Sequence, residues 1–267
     1  MSVLTQLQKG GFSIGVLHLP PFPTSLRRDR WPLERVIDYA VEGARRMQLA
    51  GISSVLLQNV GDEPTHLQAP PQTVAYMSIV GREVKKVLDI PLGITLLDHD
   101  GAAPIAVAKA VGADYVRIKT YVGAMVKMTG LLQGCYYEAI RSRRELGAEQ
   151  VDILADIFDR EGTPLGARDF GEMATFAVKS CMADGLILTG KSTAETSQIL
   201  QEVQHCHLGV PLLIGGGVNG QNAAEMRQLA QGFIVGGCLK EDPDDDFSPI
   251  AADSCRQLSR LLRGELE

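Results

Sequence analysis

The chain has 267 residues, 45% hydrophobic and 22% charged, with a formal net charge of −6. That length sits near the ~250 residues of a (β/α)₈ barrel and suffices for a sizeable core, while the interspersed charges leave no basic face for nucleic acid. No apolar run approaches the ~20 residues of a membrane span, and Met1 to Phe12 lack the apolar stretch of a secretory signal, so a cytoplasmic protein without a transmembrane segment is expected. Cys135, Cys181, Cys206, Cys238 and Cys255 are widely spaced with no CxxC, which argues against a disulfide framework or zinc ribbon.

Short apolar segments alternate with amphipathic ones along the chain. Strands are expected near 14–18, 54–58, 92–97, 115–119, 151–156, 185–189, 211–215 and 232–236. Helices are expected near 33–49, 71–88, 101–111, 134–146, 171–182, 193–206, 220–230 and 249–263. In the first helix, Leu33, Val36, Ile37, Ala40, Val41, Ala44 and Met47 follow helical spacing, Pro32 suits its first turn, and Gly51 follows its end. Pro91 and Pro211 each stand just before a strand, where a missing N–H is tolerated. Asn219 suits the N-cap of the seventh helix. Strands alternating with helices imply a parallel sheet, and eight such units predict an α/β fold of the (β/α)₈ TIM-barrel type, one domain over residues 1–267. A doubly wound sheet is the runner-up.

Barrel enzymes carry their sites at the C-terminal ends of the strands, and strand side chains alternate between helix-facing and inward positions. In the fourth strand Val116 and Ile118 belong against helices, so Arg117 and Lys119 point inward. In the fifth, Ile153 and Ala155 face helices, so Asp156 ends at the rim. Asp156 and Lys119 together suit general acid/base work; the plain alternative is an ion-pair layer in which Asp156 only neutralises Lys119 or Arg117. Gln58 faces inward at the end of the second strand, with Asn59 beside it, and His18 ends the first strand as either a structural or a functional histidine. Asp98, His99 and Asp100 follow the third strand, where Asp98 or His99 is a candidate ligand for a divalent metal and Asp100 reads as a helix cap. Nothing in the sequence requires a cofactor.

Gly215-Gly216-Gly217 follows the seventh strand and Gly236-Gly237 the eighth. These loops form the phosphate site of many barrels, because glycine lets backbone amides reach an anion; tight turn geometry is the alternative. His205-Cys206-His207 reads as a helix end and Asp244-Asp245-Asp246 as a solvated loop.

Several segments resemble the BtpA/SgcQ family. They are Gly15–Thr24 (GVLHLPPFPT), Gln58–Pro64 (QNVGDEP), Gly112–Arg117 (GADYVR), Gly123–Val126 (GAMV), Arg144–Ala148 (RELGA) and Ile153–Asp156 (ILAD). Ala183–Gly185 with Thr189-Gly190, Ile214–Val218 (IGGGV) and Ile234–Gly237 with Leu239-Lys240 continue the match in one register. The resemblance implies a barrel related to phosphate-binding barrels such as phosphoribosylanthranilate isomerase. Some members are tied to photosystem I biogenesis at the thylakoid surface, which implies peripheral membrane association; others resemble products of sugar-uptake operons. The chain departs from the family pattern at the strand ends. Gln58 replaces a common Glu, Asp98-His99-Asp100 an Arg-Asn-Asp loop, Lys119 an uncharged residue, Arg160-Glu161 a Lys-His pair, and Met128 an Asp.

The expected function is therefore an enzyme on a small phosphorylated substrate, as sugar-phosphate isomerase, epimerase or aldolase-type lyase. Asp156, Lys119 and His18 are the candidate catalytic residues. Gln58, Asn59, Arg117, Thr189, Gly215, Gly216, Gly217, Gly236 and Gly237 are the candidate substrate-binding residues. The alternative is a non-catalytic photosystem I biogenesis or complex-assembly factor. A homo-oligomer is the expected assembly.

Overall fold

A computed structural model describes residues 2–27, 31–166 and 169–266. Numbered along the chain, its strands are β1 (Phe12–His18), β2 (Ser54–Gln58), β3 (Leu92–Thr95), β4 (Tyr115–Ile118), β5 (Ala124–Lys127), β6 (Gly130–Gln133), β7 (Asp152–Asp156), β8 (Thr163–Pro164), β9 (Gly185–Ile187), β10 (Leu212–Ile214) and β11 (Gly232–Val235). Eight of them close into a parallel barrel in the order β1-β11-β10-β9-β7-β4-β3-β2. The fold is a (β/α)₈ barrel, and the helices between its strands are α2 (Leu33–Leu49), α3 (Pro71–Lys85), α4 (Ala103–Val111), α5 (Tyr136–Glu145), α6 (Phe170–Lys179), α7 (Thr193–Gln204), α8 (Ala223–Met226) and α9 (Ala252–Arg263), preceded by a short α1 (Val3–Leu7).

Side-chain alternation divides the apolar residues between two cores. Val55, Val116, Ile118, Ile153, Ala155 and Val235 face outward into the layer shared with the helices. Ile14, Leu56, Tyr115, Leu154, Ile187 and Ile234 fill the barrel interior. Polar strand-end side chains are therefore left to the upper rim, on the inward face. The lower end is closed by α1, whose first turn is capped by the Ser2 hydroxyl accepting from the Thr5 amide. Val3 and Leu7 of α1 join the interior core. Gly232 makes room for this plug, since a Cβ there would lie 2.5 Å from Leu7 Cδ2.

Two departures from the sequence expectation stand out. The helix expected near 220–230 is a single turn, α8. Asn219 Oδ1 accepts from the Gln221 amide at 2.8 Å and Asn222 Oδ1 from the Asn219 amide at 2.9 Å, so side-chain turns, not helix, occupy the segment before α8. Asn222, not Asn219, stands at the N-cap.

The second departure lies between β4 and α5, where no element was expected. There β5 and β6 form an antiparallel hairpin through Met128-Thr129, and β8 adds a third strand on the other side of β5. Met125 and Leu132 are buried while Val126 and Leu131 are exposed, a two-sided pattern over only four residues per strand. No described helix is long and apolar enough to cross a membrane.

Candidate active site

A cavity of about 320 Å³ opens at the C-terminal ends of the barrel strands. Its wall includes His18 from β1, Gln58 from β2, Arg117 and Lys119 from β4 and its loop, and Asp156 from β7. Thr189 and Gly215, which follow β9 and β10, complete that side. Seven residues expected at the site thus converge because each lies at the upper end of an inward series, Arg117 and Lys119 sharing that of β4.

Arg117 and Asp156 form the floor. Arg117 Nε donates to Asp156 Oδ2 at 2.7 Å and Nη2 donates to Oδ1 at 3.3 Å. Asp156 is only 3% exposed. Burial pushes its carboxyl up from the ordinary value, and the Arg117 guanidinium pulls against that. The fork-to-carboxylate geometry places one buried charge pair at the cavity floor with both oxygens engaged.

Lys119 faces other carboxylates. Its Nζ lies 3.7 Å from Asp159 Oδ2 and 4.0 Å from Glu161 Oε2. Lys127, on the hairpin, reaches the same group: its Nζ donates to Asp159 Oδ2 at 2.9 Å and lies 3.2 Å from Glu161 Oε2 and 3.7 Å from Asp98 Oδ1. Asp98 also accepts from the Thr129 hydroxyl at 2.9 Å. Burial works against the Asp159 charge, but Lys119, the Glu161 amide and Lys127 hold its carboxyl below the usual range. The hairpin is thereby tied over the cavity edge by charge.

His18 stands on the opposite wall. Its Nδ1 is 2.7 Å from Asp246 Oδ1. Lys240 Nζ donates to the same oxygen at 3.0 Å and lies 3.1 Å from Nδ1. An ammonium only donates and a carboxylate only accepts, so the shorter contact of Nδ1, to Asp246 at 2.7 Å, assigns the proton to Nδ1, while Lys240 donates to the shared carboxylate oxygen and its charge acts directly on the ring. That leaves the Nε2 lone pair on the other side of the ring, where it faces Gly236. Burial and the Lys240 charge lower the His18 pKa, with Asp246 offsetting part of the effect, so the imidazole is neutral near pH 7. An oriented imidazole whose Nε2 has no partner among the described residues is a competent base when neutral.

The glycine loops lie beside the cavity and give it one wall residue, Gly215. The Gly215 amide donates to Thr189 Oγ1 at 2.8 Å. A Cβ on Gly215 would strike Ile187 and Thr189, so only glycine fits. Among the described residues, none accepts a hydrogen bond from the amides of Gly216, Gly217 or Gly237. Arg160, on the loop after β7, lies against this turn, with Nη2 3.6 Å from a Cβ built on Gly216 and Nη1 3.6 Å from one on Gly217.

The model of the BtpA family matches residues 11–262. The chain belongs to the BtpA family. It is 33% identical to the photosystem I biogenesis protein BtpA of Synechocystis sp. over 85% of this chain and 79% of that protein. It is 34% identical to an uncharacterized protein of Archaeoglobus fulgidus over 94% of this chain and 98% of that one. Among solved structures, tryptophan synthase from M. tuberculosis matches with a TM-score of 0.63 at 12% identity, covering 98% of this chain and 100% of that chain. N-(5'-phosphoribosyl)anthranilate isomerase from Pyrococcus furiosus matches with a TM-score of 0.56 at 12% identity, covering 95% and 98%. These likenesses show the fold.

Within this BtpA-family barrel, Asn59, His99 and the loop glycines Gly216, Gly217, Gly236 and Gly237 stand outside the cavity wall, which takes only Gly215 from the expected glycines. Asn59 Oδ1 accepts from the Leu97 amide at 2.8 Å and its Nδ2 donates to Asp62, so it joins the ends of β2 and β3. His99 places Nδ1 3.2 Å from the Lys119 carbonyl and Nε2 2.6 Å from that of Gln133, which turns it away from Asp98. Among the described residues, no group of three His, Cys, Asp or Glu side chains is arranged to hold a metal ion. Asp100 caps α4 through the Ala102 and Ala103 amides. Asp246, far from being merely solvated, belongs to the His18 wall. Asp246, Lys240, Asp159 and Lys127 were not expected at the site, because each arrives on a loop or hairpin that alternation within barrel strands does not reach.

Proposed function

We propose that this BtpA-family chain is an enzyme that moves a proton on a small phosphorylated metabolite, as a sugar-phosphate isomerase, epimerase or aldolase-type lyase. One observation supports the reading: the amides of Gly216, Gly217 and Gly237 have no acceptor among the described residues, and the β11 loop that carries Gly237 faces the ring of His18, which Asp246 holds. These amides hold the phosphate at the β10 and β11 loops. His18 Nε2 takes a proton from the carbon backbone of the bound metabolite, and Asp246 stabilises the imidazolium. Lys119, with only long contacts to Asp159 and Glu161, stabilises the enolate oxygen. Asp156, opposite His18, exchanges the second proton while Arg117 holds it in place, and Gln58 and Thr189 orient the substrate. Two solved barrels of the same fold are named for phosphoribosylanthranilate isomerisation and tryptophan synthesis, which accords with small-metabolite chemistry. A cytoplasmic location and a homo-oligomer go with this reading.

The test is a thermal-shift panel of sugar phosphates and other small phosphorylated metabolites, with wild type beside Gly216→Val. A ligand at ~100 Kd stabilises the native state by ~2.7 kcal/mol, so binding gives a clear rise in Tm. The reading predicts such a rise in wild type and its loss in the variant. No shift with any phosphorylated compound at tens of millimolar counts against it.

A second reading, a non-catalytic assembly factor, is favoured by one feature. Val126, Met128, Leu131 and Leu165 are exposed on the small sheet, and Met128 is fully so. In that case Met128→Asp would abolish association with a partner while His18→Gln left it intact, as read by co-purification.

A further inference from the structure

We infer that Arg160 is the phosphate clamp of this site and that it restricts the site to phosphate monoesters. The inference rests on the phosphate reading above and goes beyond it by naming the class of ester.

The cations at the cavity differ in how their charge is engaged. Arg117 is bound at both ends of its fork by Asp156. Lys119 lies near Asp159 and Glu161, and Lys127 donates to Asp159. Arg160 also lines the cavity, yet among the described residues no carboxylate pairs with it and no carbonyl accepts from it. Its guanidinium lies instead against Gly216 and Gly217, whose amides are likewise unbonded. Five N–H donors and a full positive charge thus stand beside the donors of the glycine loops, with no anion of the protein between them.

The turn that carries Arg160 is fixed on both sides. The Glu161 amide donates to Asp159 Oδ1 at 3.0 Å, and the Gly162 amide donates to the Asp159 carbonyl at 3.0 Å. Asp159 and Glu161 point toward Lys119 and Lys127, so the residue between them projects the other way, toward the glycines. The backbone is pinned, and the exposed Arg160 side chain is free to fold over an anion lying on the loop.

The donor count selects the ester. A monoester dianion has three terminal oxygens and about two negative charges. The amides of the β10 and β11 loops engage two oxygens, and the guanidinium fork takes the third together with an edge of the second. A diester has two terminal oxygens and a single charge, so the fork has no oxygen of its own. The fitting substrate is therefore a small metabolite with a terminal phosphate monoester.

Calorimetry with methyl phosphate and dimethyl phosphate tests this on wild type, Arg160→Ala, Arg160→Lys and Gly216→Val, each checked for an unchanged Tm without ligand. The expected result is that wild type prefers methyl phosphate and that Arg160→Ala weakens it by ~10-fold or more, the scale of a charge-assisted pair, with little change for dimethyl phosphate. Arg160→Lys keeps the charge without the fork and recovers only part of the preference. Equal methyl phosphate affinity in wild type and Arg160→Ala, with loss in Gly216→Val, overturns the clamp and leaves the phosphate site standing. No binding of either ester to wild type overturns both.

Discussion

His18 Nδ1 and Asp246 Oδ1 stand 2.7 Å apart at the mouth of the barrel although 228 positions separate them in the chain. Buried Lys240 reaches the same carboxylate oxygen, so the charge on His18 is set by two opposed neighbours. Burial and Lys240 lower the imidazole pKa, and Asp246 raises it. Asp246→Asn removes a raising group and is expected to lower the His18 pKa further. Lys240→Met removes a lowering group and is expected to raise it. Histidine NMR titration reads both, and shifts of the same sign in the two variants would contradict the arrangement.

The floor pair predicts a thermodynamic cycle. Arg117→Met leaves the Asp156 carboxylate buried without its partner, which costs ~3 to 5 kcal/mol. Adding Asp156→Asn to that variant removes the orphaned charge and is expected to recover part of the loss. Urea unfolding of the two single variants and the double variant measures the coupling. Additive losses would mean that the pair does not act as a unit.

Asp152 opens β7 from inside the barrel and carries no ion pair among the described residues. Burial, and then the nearby Asp184 charge, push its pKa from 3.8 to about 6, with Arg143 opposing. The folded state therefore binds this proton more tightly than the unfolded chain. The resulting stability is fully present below about pH 4 and is lost as pH rises through about 6. Above that the ionised carboxylate is a net cost, so Asp152→Asn is expected to raise Tm at pH 8 and to change it little at pH 3.5. A lower Tm at pH 8 would show that the carboxylate has a partner that stabilises its charge.

Gly93 and Tyr115 share one space in the barrel interior. A Cβ on Gly93 would fall on the Tyr115 ring, whose hydroxyl is held 2.9 Å from Ser54 Oγ, itself donating to the Pro91 carbonyl. The ring cannot retreat without breaking that chain. Gly93→Ala is expected to cost about 2 kcal/mol in urea unfolding, the scale of overpacking. A neutral effect would mean that the interior is looser than drawn.

The sequence carried the barrel and much of its rim because both depend on alternation. Once Val116, Ile118, Ile153 and Ala155 are assigned to the helix layer, Arg117, Lys119 and Asp156 have only the interior to face. Partner choice among the charges was not legible in the same way. Arg117 takes Asp156 and leaves Lys119 to Asp159 and Glu161, a result of side-chain reach across adjacent strands. Asp246 looked like part of a solvated acidic run because its sequence neighbours are acidic, whereas its spatial neighbours are His18 and Lys240. The β5–β6 hairpin was hidden because four-residue strands are too short to establish a period. Asn59 and His99 have polar chemistry at strand ends, but Asn59 bonds to the Leu97 amide and the Asp62 side chain and His99 to the carbonyls of neighbouring segments.

Proton transfer at His18 on a bound phosphorylated metabolite would carry solvent hydrogen onto carbon. Its most direct test is solvent-deuterium exchange. The best-binding phosphorylated compound is incubated in D₂O with wild type or His18→Gln, and carbon-bound deuterium is followed by NMR. Wash-in is expected with wild type and none with His18→Gln, although that variant still binds the compound. Saturating binding to wild type without any wash-in, or equal wash-in with both proteins, would contradict it.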